Sequence, residues 1–228
     1  MPETPQLLEI CAGSLVSALI AQTGGAHRIE LCENLNLGGT TPSFGALSLV
    51  RQMVKIPVNV LIRPRGGNFM YSEFEISVMK MDIECCKMLG FDGVVFGTLN
   101  EDHTVNTEQC KQLLELAHPL STTFHRAFDE TPDPFKTLET LKELGFTRVL
   151  TSGAQPTAME GKETLAKLVK MAGKEIIVMP GGGIRPENIK ELSEYTLARE
   201  YHSAAMDYNS QQTCTDLQMV TDLLKILS

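Results

Sequence analysis

Short apolar segments recur along the chain, and each is followed by a longer segment in which apolar residues return at helical spacing. The short segments lack regular polar alternation, which is typical of strands buried on both faces. They predict strands over residues 7–11, 28–32, 58–62, 93–96, 121–124, 148–150, 176–179 and 199–202. The longer segments predict helices over residues 14–22, 43–54, 72–89, 107–116, 133–144, 161–171, 186–195 and 214–227.

The regularity of this alternation predicts the fold. Eight strand–helix units fit into 228 residues without a linker between any two of them. The segments 89–91 and 144–146 are both Leu-Gly-Phe, and each predicts a helix that ends at glycine before the next strand. No Gly-x-Gly-x-x-Gly motif follows the first strand, which disfavours an open, doubly wound sheet. We expect an α/β protein with a single (β/α)₈ TIM barrel domain over residues 1–228.

Composition and charge narrow the function classes. The chain carries 20 basic and 28 acidic side chains, a net charge of −8, and no basic run. This balance argues against a surface that binds nucleic acid or anionic membranes. No apolar stretch is long enough to span a bilayer, and the first residues lack the basic segment of a signal peptide. We therefore expect a cytoplasmic protein whose six cysteines are thiols rather than disulfides.

Polar residues collect where the predicted strands end. The C-terminal ends of barrel strands meet at one mouth, so these side chains are candidates for a site there. His125 follows the fifth strand and is a candidate proton carrier, although a lone histidine can also be a hydrogen-bonded packing residue. The candidates for holding an anionic molecule are Arg63, Arg65, Arg126, Ser152, Gly181, Gly182, Gly183, His202 and Ser203.

The arginines and the glycines each have a second interpretation. Arginine forks bind phosphate or carboxylate in a bidentate manner. Arg63 and Arg65 could instead form internal ion pairs with Glu9 or Glu30, because charges inside a barrel need partners. Residues 181–183 precede a predicted helix N-terminus, which suits an anion, but they can also form a tight turn with nothing bound.

Cys11 and Cys32 are separated by one strand–helix unit. Neighbouring parallel strands lie about 4.8 Å apart, so two thiols at matching depth could share one ion. Glu9 and Glu30 each lie two positions before one of these cysteines, on the same face of the strand. Two thiolates suit Cu(I) better than zinc, which takes four ligands. The alternative is that both cysteines are small buried apolar residues.

Several longer motifs resemble the CutC family, which is named for copper homeostasis. They are LEIC at residues 8–11, RIELCE at 28–33, GGTTPS at 38–43, IRPRGG at 62–67, YS at 71–72, TFHRAFD at 123–129, RVLTSG at 148–153 and HS at 202–203. The resemblance implies a (β/α)₈ barrel, a cytoplasmic homo-oligomer and a link to copper, with Cys11 and Cys32 as the Cu(I) candidates. Ala204 departs from the family's His-Ser-Ser pattern and the tail is short, which puts a role of the last loop in doubt.

Two functions remain open at this point. The first is a cytoplasmic copper homeostasis protein that binds Cu(I) through Cys11 and Cys32. The second is a barrel enzyme that acts on a small substrate bearing phosphate or carboxylate. In that case the arginines and the glycine-rich loop would hold the anion, and Glu9, Glu30 or His125 would move a proton. The expected partner is accordingly a copper ion or a small anionic molecule, and not nucleic acid or a membrane.

Overall fold

The computed structural model describes residues 6–206 and 214–228, and in this part of the chain eight strands alternate with eight α-helices. The strands are β1 (Leu7–Ala12), β2 (Arg28–Leu31), β3 (Val58–Leu61), β4 (Gly93–Phe96), β5 (Ser121–Phe124), β6 (Arg148–Thr151), β7 (Ile177–Pro180) and β8 (Glu200–Ser203). The helices are α1 (Leu15–Thr23), α2 (Phe44–Met53), α3 (Glu73–Leu89), α4 (Thr107–Ala117), α5 (Pro134–Leu144), α6 (Lys162–Ala172), α7 (Pro186–Thr196) and α8 (Leu217–Leu227).

The strands form one parallel sheet in the order β7-β6-β5-β4-β3-β2-β1-β8. A parallel bridge between Gly181 and His202 brings the two edges of this sheet together and closes the barrel. Every strand residue is buried apart from the first residue of β1, β5 and β7, which is half-buried. The predicted (β/α)₈ barrel is confirmed, and the burial agrees with strands that pack against side chains on both faces.

Short polar side chains begin most of the helices. Ser14 and Ser43, for example, accept hydrogen bonds from first-turn N–H groups of α1 and α2. The predicted start of the last helix at Cys214 is wrong, because Asp216 is the N-cap and α8 begins at Leu217. Within the part of the chain that the structure describes, no helix combines the length and the apolar character needed to cross a membrane.

Two 3₁₀ helices at the mouth were not predicted from the apolar pattern. One spans Leu35–Leu37 after β2, and the other spans Arg126–Glu130 after β5. The second is capped by His125, whose Nδ1 accepts a hydrogen bond from the backbone N–H of Ala127 at 3.2 Å. These turns matter for function because the first places Leu35, and the second places Arg126, at the cavity in the barrel mouth.

Charged side chains fill one layer of the barrel interior. Arg28 contacts both Glu9 and Glu200, and Arg148 also contacts Glu200. Glu9 lies two residues before Cys11 on β1, and the strand register pairs Glu9 with Arg28 of β2. The charged layer therefore lies directly beneath the candidate thiol pair, on the side away from the mouth.

Candidate functional site

A cavity of about 300 Å³ opens at the C-terminal mouth of the barrel. It gathers residues from strands that are far apart in sequence, as the barrel predicts. Its lining includes nine of the sequence-predicted site residues, namely Cys11, Glu30, Arg63, His125, Arg126, Gly182, Gly183, His202 and Ser203. The other predicted site residues lie outside the lining, namely Glu9, Cys32, Arg65, Ser152 and Gly181.

Cys11 lines this cavity, and Cys32 is close to it but outside the lining. Their Sγ atoms are 3.6 Å apart, and both side chains are buried. The register aligns Cys11 with Glu30 rather than with Cys32, which follows the end of β2. The Cys11 Sγ is accordingly also 3.6 Å from Glu30 Oε1. The hydrogen bond with Cys32, burial and the charge of Glu30 together raise the pKa of the Cys11 thiol well above its usual range.

His202 joins this cluster from β8. The potential ligand atoms of Cys11, Glu30 and His202 all lie within 4.8 Å of one another, and all three residues are buried. His202 Nδ1 is 2.8 Å from Glu9 Oε1, so its other ring nitrogen is the one available to a ligand. Burial alone would lower the pKa of His202, but the carboxylates of Glu30 and Glu9 outweigh burial and raise it.

Glu9 was a candidate proton carrier, but its side chain lies in the charged layer below the cavity. Its carboxylate contacts Arg28, His202 and the side-chain amide of Asn59. Burial would raise the pKa of Glu9, but the charge of Arg28 prevails and holds it well below its usual range. Glu9 therefore orients His202 rather than facing a molecule in the cavity. Arg28 was missed from the sequence, although it lies two positions before Glu30 and hence on the same face of β2.

Arg63 and Arg65 have different environments, although only Pro64 separates them. Arg63 lines the cavity and donates hydrogen bonds to three loop carbonyls, those of Leu37, Gly39 and Gly67. Arg65 turns away and pairs with Glu75 in the first turn of α3. The expected ion pairs with Glu9 or Glu30 do not form among the described residues, because Arg28 occupies Glu9 instead.

Arg126 extends over the mouth from the second 3₁₀ helix. Its Nε donates to Asp129 at 2.8 Å and its Nη2 donates to the Ser152 hydroxyl at 2.8 Å. Ser152 itself donates its backbone N–H to Asp129 at 3.1 Å. Ser152 therefore fixes the guanidinium of Arg126. Of Arg126, Asp129 and Ser152, only Arg126 is part of the cavity lining.

The glycine turn after β7 borders the cavity next to β8, because the bridge between Gly181 and His202 makes these two strands neighbours. The backbone N–H of Gly181 donates to Thr151, so that group belongs to the sheet. Gly182 and Gly183 line the cavity just before α7. Ser203 donates its hydroxyl to the Ile184 carbonyl at 2.8 Å, which ties β8 to this turn.

His125 and Glu30 each present one polar atom without a partner among the described residues, Nε2 and Oε2 respectively. Burial, helped by the nearby charge of Arg63, lowers the pKa of His125 to about 3. The imidazole is therefore neutral near pH 7, and because Nδ1 accepts from Ala127 its proton is on Nε2. Burial raises the pKa of Glu30 above its usual range. His125 is thus a hydrogen-bond donor at neutral pH rather than a strong base.

Comparison with known sequences decides the family. The sequence model of the CutC family matches residues 6–207, which is most of the chain. This chain belongs to the CutC family. It is 52% identical over 199 residues to the human copper homeostasis protein cutC homolog, covering 87% of this chain and 73% of the human one. It is 46% identical to a CutC family protein of Xylella fastidiosa, covering 97% of this chain and 88% of that one.

The fold agrees with this assignment. A crystal structure of the CutC protein from Streptococcus agalactiae superimposes with a TM-score of 0.83 at 36% identity, covering 87% of this chain and 98% of that one. The CutC family match ends at residue 207, so it includes every residue of the cavity. Ala204, the departure from the His-Ser-Ser pattern, lines the cavity. Residues 207–213, where the last loop expected from the sequence falls, lie outside the described residues.

Proposed function

We propose that this chain binds Cu(I) through Cys11 and Cys32 and thereby takes part in copper homeostasis. The observation that carries the proposal is the buried pair of Sγ atoms 3.6 Å apart beside the cavity. Membership of the CutC family, whose human relative is named a copper homeostasis protein, supports the same function. Soft thiolate ligands select Cu(I) over harder metal ions.

His202 is the best-placed additional ligand. A ring nitrogen of His202 lies within 4.8 Å of the ligand atoms of Cys11 and Glu30, and Glu9 holds the ring through Nδ1. A carboxylate that orients a metal-binding histidine is a common outer partner in metal sites. Cu(I) must also displace the proton of Cys11, whose raised pKa keeps the thiol protonated at neutral pH. The bound state is therefore a thiolate pair with an imidazole beside it, and binding releases protons.

Anaerobic titration against a Cu(I)-specific chelator tests this proposal. We expect the Cys11→Ser, Cys32→Ser double variant to lose more than about 100-fold in Cu(I) affinity. This loss is larger than the one that follows removal of a residue that only orients a metal ligand. Cys110→Ser is the matched control, because Cys110 is also buried but lies on α4. Equal Cu(I) affinity of the wild type and the double variant would refute the proposal.

The role of His202 is tested separately. His202→Ala should weaken Cu(I) binding while the cysteine pair still binds, and X-ray absorption should report the loss of a nitrogen neighbour. An unchanged absorption spectrum would limit the site to the two sulfur atoms.

A further inference from the structure

We infer that the cavity at the barrel mouth also binds a small organic anion, held between Arg126 and the turn at Gly182 and Gly183. This site lies beside the Cu(I) site and does not depend on it. A single ion at the thiols leaves most of the cavity unused, since about 300 Å³ is the size of small-ligand pockets rather than of a metal site.

The charge of the cavity wall differs from that of the whole chain. The chain has a net charge of −8. The cavity lining, however, contains three arginines, Arg63, Arg126 and Arg185, and Glu30 is its single carboxylate residue. Cu(I) is itself a cation and gains nothing from arginines. A concave wall with this excess of guanidinium groups attracts an anion.

Arg126 is prepared for such a ligand. Asp129 and Ser152 fix two of its guanidinium nitrogens, while the third, Nη1, donates no hydrogen bond to a described residue. About two-fifths of its side chain, 42%, is exposed. A Cβ atom added at Gly182 would lie 3.2 Å from Nη1. Only glycine at this position leaves the space in front of Nη1 open.

The glycine turn provides backbone donors at the same place. Within the described chain, the N–H groups of Gly182 and Gly183 donate no hydrogen bond, in contrast to that of Gly181. They precede α7, an 11-residue helix whose N-terminus carries partial positive charge. Backbone N–H groups at such a position bind phosphate or carboxylate oxygens.

Independent evidence for a ligand comes from buried polar atoms of two other residues that line the cavity. His125 Nε2 and Arg63 Nε have no hydrogen-bond partner among the described residues, although the two residues are only 5% and 4% exposed. Both are hydrogen-bond donors, and leaving a buried donor unsatisfied is destabilising. An oxygen-bearing ligand would satisfy them. The apolar side chains of Leu61, Phe69 and Leu150 offer contacts for its carbon skeleton.

The ligand class follows from these groups. One end carries a phosphate or carboxylate against Arg126 and the glycine turn. The rest is a short carbon skeleton with oxygen acceptors directed toward His125 and Arg63. The cavity volume of about 300 Å³ suits a small molecule.

Isothermal titration of the copper-free, reduced protein tests the inference. The probes are glycerol 3-phosphate, inorganic phosphate and succinate at millimolar concentrations, with glycerol and matched sodium chloride as uncharged and ionic-strength controls. We expect at least one organic anion to bind and glycerol not to bind. Stronger binding of glycerol 3-phosphate identifies a phosphate ligand, and stronger binding of succinate identifies a carboxylate ligand. Failure of all three anions to bind overturns the inference.

Variants locate the site. Arg126→Ala should weaken anion binding about tenfold or more, because a charged hydrogen bond is lost. Arg126→Lys, which keeps the charge, should lose less. Arg65→Ala is the control, since Arg65 pairs with Glu75 outside the cavity. Equal anion affinity of wild type and both folded Arg126 variants, checked by circular dichroism, contradicts the placement.

The two binding proposals fail independently. The Cys11→Ser, Cys32→Ser variant should still bind the anion, and Arg126→Ala should still bind Cu(I). Loss of anion binding in the cysteine variant, while its fold is kept, would contradict a separate anion site.

Discussion

Glu9 has no exposed surface, yet it is ionised and contacts Arg28, Asn59 and His202 inside the barrel. A buried charge is tolerated only when its partners replace the water that it has lost. Arg28 supplies the opposite charge, and His202 and Asn59 supply hydrogen bonds. The same carboxylate therefore stabilises the barrel and sets the orientation of His202 beside the thiol pair.

Removal of this charge should be costly. We expect Glu9→Gln to lower the free energy of unfolding by about 3 kcal/mol, the lower end for a broken buried pair, because Arg28 keeps Glu200 as a partner. Urea-induced unfolding at pH 7 measures the change. Glu84→Gln is the control, because Glu84 is exposed and forms only a long surface ion pair with Lys87, at 3.8 Å. This variant should change the free energy of unfolding by less than about 0.5 kcal/mol. Similar losses in the two variants would contradict a buried ion pair at Glu9.

Sequence reasoning located most of the cavity residues but not their roles. Cys11 and Glu30 lie within strands, where the alternation of side chains is fixed, and their inward direction follows from period two. Arg63 and Arg65 lie beyond the end of β3, where the loop conformation decides the direction of each side chain. The link between Glu9 and His202 was available in principle, because β1 and β8 become neighbours in a closed barrel. It was missed because the two residues are separated by almost the whole chain.

At the level of secondary structure, α3 and α5 have the same type of C-terminal cap, a glycine. Gly90 and Gly145 follow these helices with φ angles of 74° and 86°, in the left-handed region that favours glycine. Both glycines are exposed, and a Cβ atom at either would meet nothing within 4 Å. A substitution there therefore changes backbone strain without changing packing.

This equivalence makes a quantitative prediction. Gly90→Ala and Gly145→Ala should each destabilise the protein by about 1–2 kcal/mol, the cost of a left-handed conformation for an L-residue. Gly45→Ala should instead stabilise it by about 0.5–1 kcal/mol, because Gly45 is helical, exposed and also surrounded by open space. Thermal or urea unfolding of the three variants measures the changes. A stabilising effect at Gly90 or Gly145 would contradict the left-handed helix ends.

The pattern predicted regular elements better than the turns between them. Strand and helix ends were predicted to within a few residues, because the buried apolar runs and the capping residues mark them. The two 3₁₀ helices at the mouth have no apolar periodicity, and they form through local contacts such as the cap provided by His125. These short turns carry Arg126 and Leu35 to the cavity, so part of the site depended on the least predictable elements.

At the scale of the whole molecule, barrel closure brings two chemistries into one cavity. Cys11 of β1 and His202 of β8 become neighbours through the register of these strands, and Cys32 follows β2. Arg126 approaches from the end of β5, on the other side of the ring, and the glycine turn follows β7, which lies next to β8. The thiols suit a soft cation and the arginines suit an anion, which is why we propose a different ligand for each group. No single strand–helix unit contains either site.

The buried, neutral His125 should make the stability of the whole barrel depend on pH. Its pKa is lowered to about 3 by burial and by Arg63, whereas in the unfolded chain it is near the ordinary value of 6.5. Between these values the unfolded chain binds the proton and the folded protein does not. The contribution of His125 is therefore fully present above pH 6.5 and is lost as the pH falls toward 3. Each pH unit in this window costs about 1.4 kcal/mol.

Other buried groups also titrate, so the test is a difference between proteins. The lowered pKa values of Glu9 and Glu200 reduce stability further, but only below about pH 4.5, the ordinary pKa for glutamate. The raised pKa of Glu30 acts in the opposite direction. Urea unfolding of the wild type and His125→Gln between pH 7 and pH 5 isolates the histidine. We expect the variant to lose less stability per pH unit, while His118→Gln, on the surface, keeps the wild-type slope. Equal slopes in the wild type and His125→Gln would mean that His125 takes up its proton in the folded barrel as readily as in the unfolded chain.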